Sequence, residues 1–222
     1  MTIEEAVKNR HTVRKYTDKK LSDEIKEKLN LRITDNNKKY NLNMQLMTDN
    51  KEAFSTLIKL FLAKNVQNYI ILAGKDENDT DEKLGYCGCD VMLYAQTLGL
   101  NSWWVGETFS KKTILKILSL PADEKITGII ALGYGANNGT QHKSKNAEEI
   151  SYYEGNKPEW FKKGTEAVLL APTALNKQAF TIKGIENKVS IICNNGNFSK
   201  TDLGIGKYHF EIGAGKDNFE WK

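Results

Sequence analysis

The sequence has few cysteines and no long apolar run, and these absences exclude several classes of protein. Its three cysteines are odd in number and show no repeated spacing, which argues against the disulfide framework of a secreted protein. Apolar runs such as 129–132 and 167–171 are far shorter than the ~20 residues that a membrane-spanning helix needs. The charged segment 1–10 does not resemble a signal peptide. We therefore expect a cytoplasmic protein with no membrane partner.

The charged residues are not mostly of one sign either. The 32 basic residues alternate with 28 acidic ones along most of the chain, which leaves a formal net charge of +4. A nucleic-acid-binding protein usually gathers its basic residues on one stripe with aromatic residues between them. Only 10–20 and 142–145 are notably basic, and each alone is typical of a solvated face. We therefore expect no nucleic-acid partner, and only salt-sensitive binding in a gel assay would support one.

Size and composition are those of an ordinary globular protein. A chain of 222 residues buries roughly 70–75% of the surface that its unfolded form exposes, so it needs neither a disulfide nor a metal to hold a core. Its residues are 40% hydrophobic and 27% charged. We expect one compact domain built from two lobes, residues 1–150 and residues 151–222, and no metal site.

Apolar periodicity predicts both helices and strands. The predicted helices are 2–9, a helix beginning after Ser22, 79–98, 110–118, 158–171 opened by Pro158, and 201–212. The predicted strands are 42–46, 68–73, 128–134 and the hairpin of 180–182 with 189–192. Segment 101–106 is predicted as a turn and 136–157 as a polar linker. The mixture has no regular βαβ repeat, which favours the α+β class.

The segment from Arg10 to Tyr16 is the most informative in chemical terms. Arg10 and Arg14 flank the hydroxyl residue Thr12 directly after a predicted helix. Guanidinium groups, a hydroxyl and exposed backbone amides together suit a phosphate and a polar heterocycle. By charge alone the segment is equally typical of an ordinary basic loop.

Several segments of residues 3–150 together resemble the FMN-dependent nitroreductase family. The matching segments are Arg10-x-Thr12-x-Arg14-x-Tyr16, Leu93–Gly106, Leu120-Pro121 with Ile129–Gly135, and the pair Lys143 and Lys145. Thr12 replaces the serine of the family motif. The resemblance implies an α+β nitroreductase-like fold with an antiparallel-rich central sheet flanked by helices. It also implies an FMN oxidoreductase that passes hydride from NAD(P)H through flavin N5 to a nitroaromatic, quinone or enone.

One family segment, Pro-Ser-x-x-Asn-x-Gln-Pro, is displaced along the chain. It is missing from 31–40, where the family pattern places it, and appears at 171–180 with Thr173 for Ser and Ala179 for the second Pro. In family homodimers this segment reaches the flavin of the partner subunit. The displacement resembles a divergent branch with two fused halves, and it implies an internal pseudo-dimer with one FMN between its lobes. Such a chain is either a monomer or a weak homodimer.

The resemblance also assigns roles to individual residues, and none of them is a catalytic acid or base. Residues implied at the FMN phosphate are Arg10, Lys143 and Lys145, with the Thr12 hydroxyl and His11 beside it. Those implied at the ring are Arg14 at the N1/O2 edge, the amides of Val105 and Gly106 at N5, and Pro172, Thr173 and Asn176 from the second lobe. The Asn176 side chain could equally satisfy its own loop. A cation at N1/O2 favours the reduced ring, which carries negative charge there.

Some residues suggest other chemistry but have simpler explanations. Cys87 and Cys89 lack the spacing of a metal or redox pair, and we expect them to be buried small hydrophobes. Gly204-Ile-Gly206 lacks the third glycine of a dinucleotide-binding turn. His209 lies in an apolar helix and is expected in the core. Trp103 and Trp104 are candidates for packing beneath the flavin. For one of them, a role as a wall on which the substrate stacks stays open.

A flavin-binding protein need not turn over, so a sensor or storage module is the alternative to the enzyme. Both interpretations predict yellow protein, and they differ in whether NADPH bleaches the bound flavin.

Overall fold

A computed structural model describes residues 1–118 and 120–222 of the chain. Within these residues the helices are α1 (Ile3–Asn9), α2 (Asp23–Tyr40), α3 (Thr56–Phe61), α4 (Thr80–Thr97), α5 (Lys111–Ile117), α6 (Ala147–Ile150), α7 (Glu159–Leu169) and α8 (Ser199–Ala214). The strands are β1 (Gln45–Met47), β2 (Asn68–Lys75), β3 (Asn101–Val105), β4 (Glu124–Gly133), β5 (Ser151–Glu154), β6 (Phe180–Ile185), β7 (Lys188–Cys193) and β8 (Glu220–Trp221). The predicted α+β class is confirmed.

Polar caps fix where the first two helices begin. The Thr2 hydroxyl accepts from the amide of Glu5, and the Glu5 carboxylate accepts from the amide of Thr2, which is a capping box. Ser22 caps α2 as predicted, its hydroxyl accepting from the amide of Ile25. The C-cap of this helix is Asn41, which adopts the left-handed conformation with φ 55°. Because α2 runs through 31–40, the segment where the family pattern places the motif is helical.

The first sheet has the strand order β1-β2-β4-β3, and every neighbouring pair is antiparallel. The prediction of a turn at 101–106 was wrong, because residues 101–105 pair with the second half of β4, from Asn101 opposite Gly133 to Val105 opposite Ile129. Apolar side chains cover both faces of this sheet. Ser102 and Trp104 therefore face one layer of the core, and Trp103 and Val105 face the other.

The second sheet has the order β5-β6-β7-β8, with β6 and β7 forming the predicted hairpin. The outer strands β5 and β8 run parallel to their neighbours. The prediction of a featureless linker at 136–157 was wrong at its end, because Asn146 and Glu149 form a capping box that starts α6 and leads into β5. Pro158 is the N-cap of α7 rather than its first residue.

The long helices α4 and α8 cross in direct contact and join the elements of the two sheets. At Gly85 an added Cβ would lie only 2.1 Å from the carbonyl oxygen of Thr201, and at Gly204 only 2.0 Å from that of Glu82. The two backbones therefore touch, which only glycine permits at such a crossing. Gly204 thus has a packing role within α8, in agreement with the rejection of a nucleotide-binding turn.

One buried carboxylate ties this helix pair to α2. Asp90 of α4 is 4% exposed and accepts hydrogen bonds from Arg32, Asn36 and Tyr208. Because both of its oxygens are occupied by donors, this buried charge is compensated rather than left isolated. Among the described residues, no helix combines the length and the apolar character needed to cross a membrane.

Candidate functional site

The basic segment after α1 is held against the edge of the first sheet. Arg10 is the C-cap of α1, and the chain then extends so that Thr12 bridges to Ser102 of β3, with the amide of Val13 donating to the Ser102 carbonyl at 2.9 Å. Gly139 packs on the same segment, since an added Cβ there would lie 2.8 Å from the carbonyl oxygen of Thr12. The fold therefore brings the stretch after β4 next to the segment that follows Arg10.

Arg10 is a buried cation. Its side chain is 3% exposed, and its Nε and Nη1 have no hydrogen-bond partner among the described residues. It lies near Cys89, and its removal from water lowers the pKa of the guanidinium. A buried guanidinium that lacks an anion is unfavourable, because the lost hydration is not replaced. The arrangement is therefore one that an incoming anion would complete.

Two histidines lie on the segments that the fold brings together here: His11 follows Arg10, and His142 begins the basic segment 142–145. The pKa of His11 is lowered by burial and, secondarily, by the charges of Arg10 and His142. His142 Nε2 lies 3.0 Å from the carbonyl oxygen of Leu169 and 3.0 Å from Nε2 of Gln178. His142 thus contacts the end of α7 and Gln178, and sequence reasoning did not assign it to the site.

Gln178 connects the basic segment 142–145 to the loop 172–178. Its side chain is buried, with Oε1 accepting from the amide of Lys145 at 2.7 Å and Nε2 donating to the carbonyl of Leu169 at 2.9 Å. Its own carbonyl accepts from Lys145 Nζ at 3.1 Å. The sequence signal for this residue was present, since it occupies the glutamine position of the displaced motif, but it was not singled out.

The predicted ligands on these segments also bond to each other. Asn176 donates through Nδ2 to the carbonyl of Lys143 at 2.8 Å, so this side chain bonds to the segment 142–145 and not to the backbone of its own loop. The Thr173 hydroxyl accepts from the amide of Gln178 at 3.1 Å. Lys143 and Lys145 are exposed, although the Lys145 ammonium already donates to Gln178. These contacts order the segments with respect to each other.

We expect Gln178→Ala to lower the free energy of unfolding by about 2–3 kcal/mol. The change leaves the amide of Lys145 without its acceptor, which costs about 1–3 kcal/mol, and it removes one donor from the carbonyl of Leu169, which keeps the Ser144 hydroxyl. Urea denaturation followed by circular dichroism measures the loss. The exposed neighbour Lys177→Ala is the control, with an expected change within ~0.5 kcal/mol. Equal midpoints for the two variants would contradict the connecting role of Gln178.

Trp103 and Trp104 belong to β3, and the side chain of Arg14 lies beside this strand. The exposed Arg14 guanidinium lies over the Trp103 ring, 5.2 Å from its centroid, and Trp103 stacks on Phe54 at 5.5 Å. Trp104 packs on the opposite face, against Gly88 of α4. Both tryptophans thus pack within the core, and Trp103 also supports the Arg14 cation.

The end of β3 contacts the start of α8. An added Cβ at Gly106 would lie 2.9 Å from Cε1 of Phe198, so this ring rests on the Gly106 backbone. A cavity of ≈ 500 Å³ opens at the same place. Its lining mixes aromatic and charged side chains, among them Glu107, Phe109, Lys111, Lys125 and Phe198. Val105 itself is buried.

The three cysteines and His209 behave as packing residues. Cys87, Cys89 and Cys193 are free and buried, and burial raises the pKa of each thiol. His209 is buried with Nδ1 at 3.0 Å from the carbonyl of Ile205, and burial lowers its pKa to about 3. Within the described residues, no group of His, Cys, Asp or Glu side chains is placed to hold a metal.

Comparisons with known proteins place this fold. The family model described as "Putative TM nitroreductase" matches residues 2–214. A nitroreductase structure from Thermotoga maritima is 21% identical, with a TM-score of 0.70 over 98% of this chain and 85% of that one. A nitroreductase from Desulfovibrio desulfuricans, solved in complex with FMN, is 20% identical, with a TM-score of 0.54 over 71% of this chain and 99% of that one.

A protein of Parabacteroides distasonis, described as an NADH dehydrogenase/NAD(P)H nitroreductase, is 22% identical, with a TM-score of 0.53. The alignment with it covers 67% of this chain and 95% of that one. None of the curated proteins with which the sequence was compared matches it. Because the family model spans nearly the whole sequence, the chain belongs to the nitroreductase family that this model describes.

Proposed function

We propose that this protein is an FMN-dependent oxidoreductase that carries two electrons from NAD(P)H to a small acceptor such as a nitroaromatic, quinone or enone. The observation that carries the proposal is the buried Arg10, whose Nε and Nη1 lack a partner among the described residues. A phosphate would supply the missing acceptor atoms and the missing negative charge. The D. desulfuricans relative solved with FMN supports this choice of ligand.

The phosphate end of the proposed site is the cluster around Arg10. Arg10 donates to the phosphate from the buried side, with the Thr12 hydroxyl and His11 beside it. Lys143 and Lys145 reach the outer oxygens, Lys145 from its anchor on Gln178. A planar guanidinium is well suited to bind two phosphate oxygens at once. These residues therefore fix the cofactor through its charge.

The ring end lies between the end of β3 and the loop 172–178. The amides of Val105 and Gly106 would hold the ring at N5, and Arg14 would place a cation at the N1/O2 edge, where it would stabilise the reduced ring more than the oxidised one. Pro172, Thr173 and Asn176 close the ring from the other lobe. When bound, FMN supplies the two-electron chemistry by accepting and donating hydride. The cavity beside Gly106 is the space proposed for the nicotinamide and, in its turn, for the acceptor.

The proposal includes one FMN for each chain, in an internal pseudo-dimer of lobes 1–150 and 151–222. Its support is that elements of the second lobe meet the Arg10 side of the site, through Gln178 on 142–145, and the ring side, through Phe198 on Gly106. One chain would supply both sides of such a site, without a second copy of the protein. A flavin-to-chain ratio near two would contradict this part of the proposal.

The first test is the visible spectrum of the purified protein after FMN is added and the excess removed. We expect a retained flavin spectrum that bleaches when NADPH or NADH is added without oxygen. Protein that keeps the flavin but does not bleach is a flavin-binding sensor or storage module, and the enzyme proposal then fails. Protein that retains no flavin contradicts the cofactor assignment itself.

A further inference from the structure

The loop 172–178 contains left-handed backbone that two of its residues, Leu175 and Gln178, do not favour. Leu175, Asn176 and Gln178 all have positive φ, at 55°, 54° and 45°. Left-handed backbone costs a non-glycine residue roughly 1 kcal/mol or more, and it persists where the surroundings over-determine it. Leu175 is 84% exposed, so burial of its side chain does not hold this conformation.

A buried pair of polar residues at the start of α8 holds the centre of the loop. Both carboxylate oxygens of Asp202 accept from the amide of Ala174 at 3.2 Å. Asn195 donates through Nδ2 to the carbonyl of Ala174 at 3.1 Å and to Asp202 at 2.6 Å. The side chains of Asp202 and Asn195 are 3% and 4% exposed. The amide and the carbonyl of one loop residue are thus both fixed by the same pair.

The same pair is connected to the other side of the proposed ring site. The carbonyl of Asn195 accepts from the amide of Phe198 at 3.2 Å, which closes the turn that carries Phe198. Phe198 rests on Gly106, beside the cavity. One hydrogen-bonded unit therefore sets both the loop 172–178 and the aromatic ring opposite the end of β3.

We propose that Asp202 and Asn195 are positioning residues, which hold the loop 172–178 and the Phe198 turn in the arrangement that receives the flavin ring; this rests on the proposed function. Neither residue is assigned to touch the cofactor. The two side chains have different hydrogen-bonding roles in this pair. Asn195 must donate to two acceptors, and Asp202 must only accept, so neither residue can replace the other.

Asp202→Asn tests this inference because it keeps the shape of the side chain and removes only the charge and one acceptor. Asparagine has one acceptor oxygen where the carboxylate has two, so in either orientation its amide nitrogen faces a donor, the amide of Ala174 or the amide of Asn195. We expect amide hydrogen exchange in 172–179 to accelerate about tenfold, and the dissociation constants of FMN and riboflavin to rise together by about tenfold. Asn195→Ala removes the other contact and serves as the second variant. Both flavins should be affected because they share the ring that this loop is proposed to close.

Asp90→Asn is the matched control, a buried aspartate of the same helix pair whose partners Arg32, Asn36 and Tyr208 lie outside the loop. It should lower stability without changing loop exchange or flavin affinity. The inference is overturned if both loop variants bind flavins like the unaltered protein, or if Asp90→Asn weakens binding equally. If the unaltered protein binds no flavin, the proposed function fails separately, and unaltered loop exchange in Asp202→Asn then overturns the inference.

Discussion

Arg10→Met should have opposite effects on cofactor binding and on the stability of the flavin-free protein. We expect the dissociation constant of FMN to rise by at least about 100-fold, because hydrogen bonds to charged groups contribute about 1.5–3 kcal/mol each and the guanidinium is proposed to make two. We expect the flavin-free protein to gain about 1–2 kcal/mol, because an uncompensated buried cation is replaced by an apolar side chain of similar length. Flavin fluorescence titration and urea denaturation measure the two quantities.

Two comparisons show whether the effect arises at the phosphate. Riboflavin has no phosphate, so its affinity should be the same in Arg10→Met and in the unaltered protein. Arg14→Met is the matched control: this exposed arginine is proposed at the ring, so its loss should weaken FMN and riboflavin alike and change stability by no more than ~0.5 kcal/mol. An FMN affinity that is unaltered in Arg10→Met would remove this residue from the phosphate site.

Gly85→Ala should be strongly destabilising, because it adds a methyl group where α4 and α8 cross. The added Cβ would lie 2.1 Å from the carbonyl oxygen of Thr201, which is backbone of α8 and cannot rotate away. Overpacking costs about 1–3 kcal/mol where side chains can adjust, and we expect at least about 3 kcal/mol here because the two helices must separate. Thermal and urea denaturation of the flavin-free protein measure the loss.

Gly88→Ala is the matched control, one turn along the same helix. An added Cβ there meets the edge of the Trp104 ring at 2.7 Å and a methyl group of Leu72 at 3.0 Å, both of which are side-chain atoms. The gain of ~1 kcal/mol in helix propensity offsets part of the strain, so we expect a net loss of about 1 kcal/mol. If the two alanine variants were equally stable, the backbone contact at Gly85 would not limit the crossing.

Helices and buried strands were predictable because local signals dominate them. The Ser22 cap and the apolar periodicity of α4 lie within single elements, and both are confirmed. Segment 101–105 was misjudged because its strand conformation depends on pairing with β4, nearly thirty residues further along the chain. Residues 147–154 were misjudged because a polar composition conceals a capping box and a short edge strand.

The candidate site was predictable in its residue types but not in its connections. The arginine segment and the displaced motif were visible in the sequence, and the fold does bring Lys143 to Asn176. The roles of these residues toward FMN stay predictions. The contributions of Gln178, Asn195 and Asp202 could not be predicted, because each acts through hydrogen bonds that only the tertiary structure brings together. The resemblance to the family suggested the FMN phosphate as a ligand for Arg10. That the Arg10 side chain is buried without a hydrogen-bond partner for its Nε and Nη1 among the described residues became visible only in the fold.

The crossing of α4 and α8 within one chain also has a kinetic consequence. In an assembly of separate subunits, such a contact dissociates on dilution, and its stability depends on protein concentration. Here the two helices belong to the same molecule, so their encounter is a first-order process with a fixed effective concentration. The melting temperature should therefore be the same at nanomolar and at micromolar protein. The geometry of a cleft between the parts of the chain that α4 and α8 join would therefore not depend on the concentration of the protein in the cell.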